Sequence, residues 1–123
     1  IGLKDLPTIY VRHRLANIFK DGGFWLEKQV LDEEIFVICK KVFGEHHSDT
    51  LDSMANVAST YYALGKVESA EELEKEVLDL RKKTMGEHHP NTLSSMNSLA
   101  CVYLALGKFE NAKKLGEDVL ELR

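Results

Sequence analysis

Apolar residues recur at three- and four-residue steps through the middle of the chain, which is the spacing of amphipathic helices. A first stripe holds Leu51, Met54, Val57, Ala58, Tyr61 and Leu64, and a second holds Val67, Ala70, Leu73, Val77, Leu78 and Leu80. Gly65 separates the two stripes, and its lack of a side chain suits the left-handed backbone that ends many helices. The second helix is expected to close near Gly86. Because no run of residues alternates with period two, the pattern predicts paired helices and no sheet.

The paired-helix pattern repeats along the chain at an offset of 42 residues. Of the 38 positions from 44 to 81, 21 are identical to their counterparts in the next copy, whereas the first third of the chain matches more weakly. A repeat of this length is a supersecondary unit that stacks on its neighbours. The sequence therefore predicts one continuous domain with a divergent first repeat at 1–43, a second at 44–85 and a third, without a capping helix, at 86–123.

Four positions characterise the unit more closely: a small residue, an aromatic residue, a turn glycine and a second small residue. They are Ala58, Tyr61, Gly65 and Ala70 in the second repeat and Ala100, Tyr103, Gly107 and Ala112 in the third. This set resembles the tetratricopeptide repeat (TPR), and the 42-residue period resembles the form found in kinesin light chains. The stretch GEHHPNTLSSMNSLACVYLALGKFENAKKL is also similar to TPR arrays of fungal NLR-like signal-transduction NTPases. The resemblance implies an all-α, right-handed solenoid of three helix-turn-helix repeats.

The first repeat departs from this pattern at Lys28, which stands where the later repeats have Ala70 and Ala112. A long lysine at a close-packing position leaves two possibilities open, a capping repeat or a repeat whose helices splay apart. We still expect two helices here. Their predicted core consists of Phe19, Leu26, Leu31, Ile35, Phe36 and Ile38.

Composition and charge exclude several functions. Sixteen Lys and Arg against twenty Asp and Glu give a net charge of −4, which argues against general nucleic-acid binding because that requires clustered positive charge. No apolar run approaches the roughly 20 residues that cross a bilayer. The two cysteines, Cys39 and Cys101, are too few for a disulfide framework and are expected to be free thiols. We expect a cytoplasmic location.

The candidate chemistry is sparse. The recurring pairs His46-His47 and His88-His89 belong to a repeated loop and lack accompanying ligands at zinc spacing, so they are interpreted as solvated or capping residues. Asp49 and either Asn91 or Thr92 are the predicted helix caps. Acidic residues such as Glu71 lie among lysines, with Glu71–Lys75 as an expected exposed ion pair. Because no phosphate-binding or nucleophile motif is present, we predict no enzyme activity, no cofactor and no metal.

The first helices of a TPR stack line its concave groove, and this resemblance selects the candidate binding residues. They are His13, Arg14, Asn17, Asp52, Asn56, Ser59, Tyr62, Ser94, Asn97, Ser98 and Cys101. Asparagine can hydrogen-bond a peptide backbone as donor and acceptor, which suits an extended peptide or protein segment, although water filling the groove would also favour polar residues. TPRs that clamp a terminal carboxylate use several cations, which this groove lacks, so that ligand class is not expected.

A rival function comes from the last helix. Leu115, Val119 and Leu122 are predicted to form an uncovered apolar stripe, and a solenoid needs a cap or a neighbour over such a face. The sequence therefore predicts a non-catalytic interaction module of a larger scaffold, adaptor or sensor protein. The alternative is an oligomerisation segment of a signalling NTPase or an isolated repeat fragment, which would form a homodimer or an end-to-end assembly through this stripe.

Overall fold

A computed structural model describes residues 5–122, including the side chains of residues 12, 14–18 and 20–122. The helices are α1 (Asp5–Gly22), α2 (Trp25–Phe43), α3 (Ser48–Ala63), α4 (Val67–Met85), α5 (Pro90–Ala105) and α6 (Phe109–Leu122). No strand occurs within residues 5–122. Each helix packs mainly against the helix that follows it in the chain, so the molecule is a stack of helical hairpins. The predicted all-α fold is confirmed.

Glycine turns join the two helices of each hairpin. Gly65 has a φ of 81°, a left-handed conformation that a side chain would strain, as the sequence predicted. The amide of Gly65 donates to the Tyr62 carbonyl at 3.1 Å and the amide of Lys66 to the Tyr61 carbonyl at 2.8 Å. This pair of bonds is a Schellman motif, which satisfies carbonyls at the end of α3. Lys108 and Gly107 repeat the arrangement after α5.

The loops between hairpins place a histidine at the start of the next helix. His47 Nδ1 accepts from the Asp49 amide at 3.0 Å, and His89 Nδ1 accepts from the Asn91 amide at 3.0 Å. The sequence left a solvated and a capping role open for these histidines, and for His47 and His89 the structure shows the capping role. Placing the caps at Asp49 and at Asn91 or Thr92 was wrong, because an imidazole nitrogen takes the acceptor role usually filled by Ser or Asp and starts the helix earlier.

The first repeat contains the two predicted helices, α1 and α2. Within its predicted core, Ile35 is buried and Leu31, Phe36 and Ile38 are partly buried. Leu26 was assigned wrongly, because its side chain is 63% exposed on the outer face of α2. The side chain of Phe19 lies outside the described residues.

The last repeat has a core formed between α4, α5 and α6. Val119 belongs to it and is 4% exposed, and Leu115 and Leu122 are partly buried against the same cluster. Describing these three residues as an uncovered stripe was therefore wrong, because α6 turns this face towards α5. The strongly exposed apolar residues of α6 are Phe109 at 65% and Leu120 at 74%.

Among the described residues, no helix is both long and apolar enough to cross a membrane.

Candidate functional site

The predicted groove residues lie on α1, α3 and α5, the first helices of the three hairpins. We call the accessible faces of these helices the first-helix surface. Its exposed members are Arg14, Asn17, Asp52, Asn56, Ser59, Tyr62, Ser94, Asn97 and Cys101, and Ser98 is partly buried. The side chain of His13 lies outside the described residues.

Four of these residues surround a single cavity of about 160 Å³. Ser59 and Tyr62 contribute from α3, whereas Ser98 and Cys101 contribute from α5. Ala58, Val102 and Glu74 complete the lining, and Glu74 reaches it from α4. The other predicted groove residues do not line this cavity. The structure therefore concentrates the candidate site between the second and third repeats.

Glu74 is the most deeply buried polar residue of this lining, with 4% of its surface exposed. Burial raises the pKa of its carboxyl from 4.5 to about 7, and the Arg81 charge and a hydrogen bond with Ser98 oppose the rise. None of the ion pairs found among the described side chains includes Glu74. The carboxyl therefore has a hydroxyl partner but no paired cation at the edge of the cavity.

Arg81 is the nearby buried cation, and its two terminal nitrogens are engaged elsewhere, whereas its Nε is buried without a hydrogen-bond partner among the described residues. It contacts Asp52 Oδ1 at 2.8 Å, Ser95 Oγ at 2.7 Å and the Asn91 carbonyl oxygen at 3.2 Å. Asp52, one of the predicted groove residues, is thus held against α4, while its side chain remains 56% exposed. These contacts tie α4 to both α3 and α5.

The interface between α2 and α3 shows a different arrangement of buried charge. Lys28 Nζ lies 2.6 Å from Asp32 Oδ2 and donates to Thr60 Oγ1 at 2.8 Å. Thr60 Oγ1 donates in turn to Asp32 at 2.6 Å. Lys28 therefore neither splays the helices nor reaches solvent, because its side chain is only 8% exposed and its ammonium is paired inside the interface.

At the rim of the same interface, the Tyr61 hydroxyl donates to Glu33 and Lys66 Nζ donates to Gln29 Oε1 at 2.8 Å. The hydrogen bond to Glu33 is the main cause that raises the pKa of Tyr61 to about 12. These contacts fasten the end of α3 to α2.

The sequence reasoning missed Glu74 and Arg81, although a signal was present. Both residues continue the helical spacing of Ala70, Val77 and Leu78, so they lie on the buried face of α4. The interpretation of Glu71 as solvated was also wrong, since only 11% of its side chain is exposed. Its expected pair with Lys75 is confirmed at 3.3 Å, and Lys108 approaches to 2.7 Å and lowers the pKa of Glu71 through a hydrogen bond.

The cysteines and histidines offer little chemistry. Both thiols are free, with Cys39 buried on α2 and Cys101 exposed on α5. Burial raises the pKa of the Cys39 thiol, which lowers its reactivity. Within the described part of the chain, no group of three or more His, Cys, Asp and Glu side chains could hold a metal ion.

A second cavity, of about 290 Å³, lies away from the first-helix surface. Its lining comes from α2, the loop before α3, α3 and α4, and it contains none of the predicted groove residues.

Family models agree with this architecture. One model of the tetratricopeptide repeat matches residues 50–91, and a second matches residues 75–123. The chain belongs to the tetratricopeptide-repeat family. Repeats of this family generally mediate protein–protein interactions and are typically non-catalytic. No curated protein matches the sequence.

Solved structures place this TPR array in the kinesin-light-chain type. Two crystal structures of a Podosopora anserina protein, described as a kinesin light chain with nearly identical TPR-like repeats, are 31% identical to the chain with a TM-score of 0.85. BtubC (BKLC) from P. vanneervenii is 22% identical with a TM-score of 0.85. Each alignment covers 94% of this chain but only 54%, 55% and 45% of the relative. The chain therefore spans about half the length of these relatives.

Proposed function

We propose that this TPR array binds an extended segment of a protein partner along the first-helix surface, as part of a larger scaffold, adaptor or sensor protein. The observation that carries the proposal is the cavity between α3 and α5, which gathers Ser59, Tyr62, Ser98 and Cys101 from two repeats. A pocket between neighbouring first helices can hold one side chain of a segment that continues along the surface.

The exposed asparagines support the same proposal. Asn56 lies on α3 and Asn97 lies on α5, and both are exposed to solvent. An asparagine amide can donate to a backbone carbonyl and accept from a backbone amide, which allows it to hold an extended chain without regard to side chains. The asparagines would then supply general affinity and the cavity would supply specificity.

A displayed library of random peptides tests this function. We expect selected peptides to lose several-fold or more in affinity for Asn56→Ala or Asn97→Ala, with a change in folding stability of only about 0.5 kcal/mol. Asn111→Ala is the matched control, because Asn111 is an exposed asparagine on α6. Equal binding to all three variants would contradict the proposal. If Asn56→Ala unfolds the protein, the residue is structural and its assignment to the surface is wrong.

Self-association is a second candidate function, favoured by apolar residues on the outer faces. Val30 is 55% and Val37 is 63% exposed on α2, where the second repeat has Glu72 and Asp79. Leu120 is 74% exposed on α6. A second copy of the chain would cover these residues in a weak dimer. Light scattering from about 10 µM to about 1 mM should then show a rising mass that Val30→Glu or Leu120→Glu abolishes. A constant monomer mass would exclude this function.

A further inference from the structure

The cavity between α3 and α5 combines one buried carboxyl with apolar walls. Glu74 contributes the carboxyl and is 4% exposed, while Ala58 and Val102 contribute aliphatic surface. Tyr62 and Ser98 also line the cavity, together with Ser59 and Cys101. A carboxylate taken out of water is costly unless a cation or several hydrogen bonds accompany it. The composition of this lining matches a ligand group with an aliphatic stem and a positive end.

The neighbouring interface shows how the same fold satisfies an acid at this position. Asp32 is the counterpart of Glu74 in the repeat, and Thr60 is the counterpart of Val102. Asp32 is bound by the Lys28 ammonium at 2.6 Å and by the Thr60 hydroxyl at 2.6 Å. In the later interface, Ala70 replaces the lysine and Val102 replaces the hydroxyl. Both interfaces therefore have an acid at this position, but only the earlier one has the lysine and the hydroxyl that pair with it.

We propose that the cavity between α3 and α5 is a subsite for a lysine side chain of the partner segment, whose ammonium pairs with Glu74 as Lys28 pairs with Asp32. This inference rests on the proposed function and names the residue type that the surface selects. The methylene stem would lie against Ala58 and Val102, and the Tyr62 ring would face the positive end.

No described side chain forms an ion pair with Glu74, although the Arg81 charge acts on it and lowers its pKa. Arg81, the only arginine on α4, contacts Asp52, Ser95 and the Asn91 carbonyl. The lining contributed by α3 and α5 consists of uncharged Ser, Ala, Val, Tyr and Cys side chains. Because burial holds the pKa of Glu74 at about 7, an incoming ammonium must displace a proton from part of the population at neutral pH. Lysine binding is therefore expected to strengthen as the pH rises from 6 to 8.

The test uses the whole chain labelled with ¹⁵N and two blocked five-residue peptides, which differ only in carrying lysine or norleucine at the centre. We expect the lysine peptide to shift the amide signals of Tyr62, Ser98 and Cys101 at concentrations up to about 10 mM, and to bind more tightly at pH 8 than at pH 6. Glu74→Gln should weaken this binding about tenfold or more. Glu72→Gln, an exposed substitution on the same helix, should leave it unchanged.

Several results would overturn the inference. They are no shift with the lysine peptide, equal binding of the norleucine peptide, or unchanged affinity in a folded Glu74→Gln variant. An arginine peptide that binds more tightly than the lysine peptide would overturn the choice of lysine. Library peptides that bind through Asn56 and Asn97 without any basic residue would leave the proposed function standing and remove only this subsite.

Discussion

Two interfaces of this TPR array occupy equivalent places in the repeat but differ in whether their buried acid is paired with a cation. Between α2 and α3, Asp32 is enclosed by the Lys28 ammonium and the Thr60 hydroxyl. Between α4 and α5, Glu74 has the Ser98 hydroxyl and an alanine and a valine at the two other positions. The first interface therefore pairs its buried acid with a cation of the chain, whereas Glu74 in the second has no ion-pair partner among the side chains that the structure describes.

The later interface has its buried cation at a different position of the repeat, near the end of α4. Arg81 is seven residues after Glu74, and its guanidinium contacts Asp52 on α3 and Ser95 on α5. In the first repeat this position is Cys39, a buried thiol. The backbone of the repeat therefore brings the same positions together, and the residue types at those positions decide whether a buried charge is paired. We call the α2–α3 interface closed because Asp32 is paired with Lys28, and the α4–α5 interface open because Glu74 has no ion-pair partner among the described residues.

The largest expected loss of folding stability comes from removing the buried cation of the closed interface. Lys28→Ala leaves Asp32 buried without its cation, which should lower the free energy of unfolding by about 3 to 5 kcal/mol in urea denaturation. Lys40→Ala is the control, because it removes an ion pair with Glu45 whose side chains are 51% and 68% exposed. That control should cost about 1 kcal/mol or less. Similar losses in the two variants would show that the closed interface is not held by its buried pair.

At the open interface, the buried Glu74 carboxyl should make the free energy of unfolding depend on pH. The folded protein keeps the Glu74 proton up to a pKa of about 7, whereas the unfolded chain releases it near 4.5. The stabilising contribution of the neutral carboxyl is therefore full below 4.5 and is lost as the pH rises through 7, a change of about 3 kcal/mol. We expect Glu74→Gln to be the more stable protein at pH 8, with the difference closing near pH 4.5. A difference that does not vary with pH would contradict this account.

The smallest effect comes from exchanging one hydroxyl between the interfaces. Thr60→Val removes the group that donates to Asp32 and accepts from Lys28, at a cost of about 1 to 3 kcal/mol. Val102→Thr offers Glu74 a further hydroxyl and should stabilise the protein at pH 8 by about 1 kcal/mol or less, while lowering the pKa of Glu74. Denaturation curves and a carboxyl NMR titration measure both. If Val102→Thr left the pKa and the stability unchanged, the two positions would not be equivalent.

Local sequence patterns predicted the elements of this fold well. The spacing of apolar residues on α3 and α4 and the glycine at position 65 depend on neighbours within one or two helical turns. The 42-residue recurrence then indicated stacked hairpins of the TPR kind. The same reasoning correctly placed His47 and His89 in a repeated loop as solvated or capping residues, and the structure decided for the capping role.

The surroundings of individual side chains were less predictable. The sequence left open whether Lys28 belongs to a capping repeat or splays the helices, because one of its partners, Thr60, lies 32 residues further along the chain. Val119 was predicted to be uncovered because the spacing of apolar residues within α6 does not tell which face of the helix packs against α5. The side chain of His13 lies outside the described residues, so its place on the surface stays a prediction.

The sequence by itself determined six helices, their turns and their stacking into hairpins, because helix period and glycine conformation act over short distances. Only the tertiary structure decided which partners Lys28 and Arg81 have, that Glu74 lines a cavity, and which apolar residues of α6 are covered. The physical reason is that the free energy of a buried charge depends on groups that come from different helices. The spacing of residues within one helix does not determine the distances between such groups.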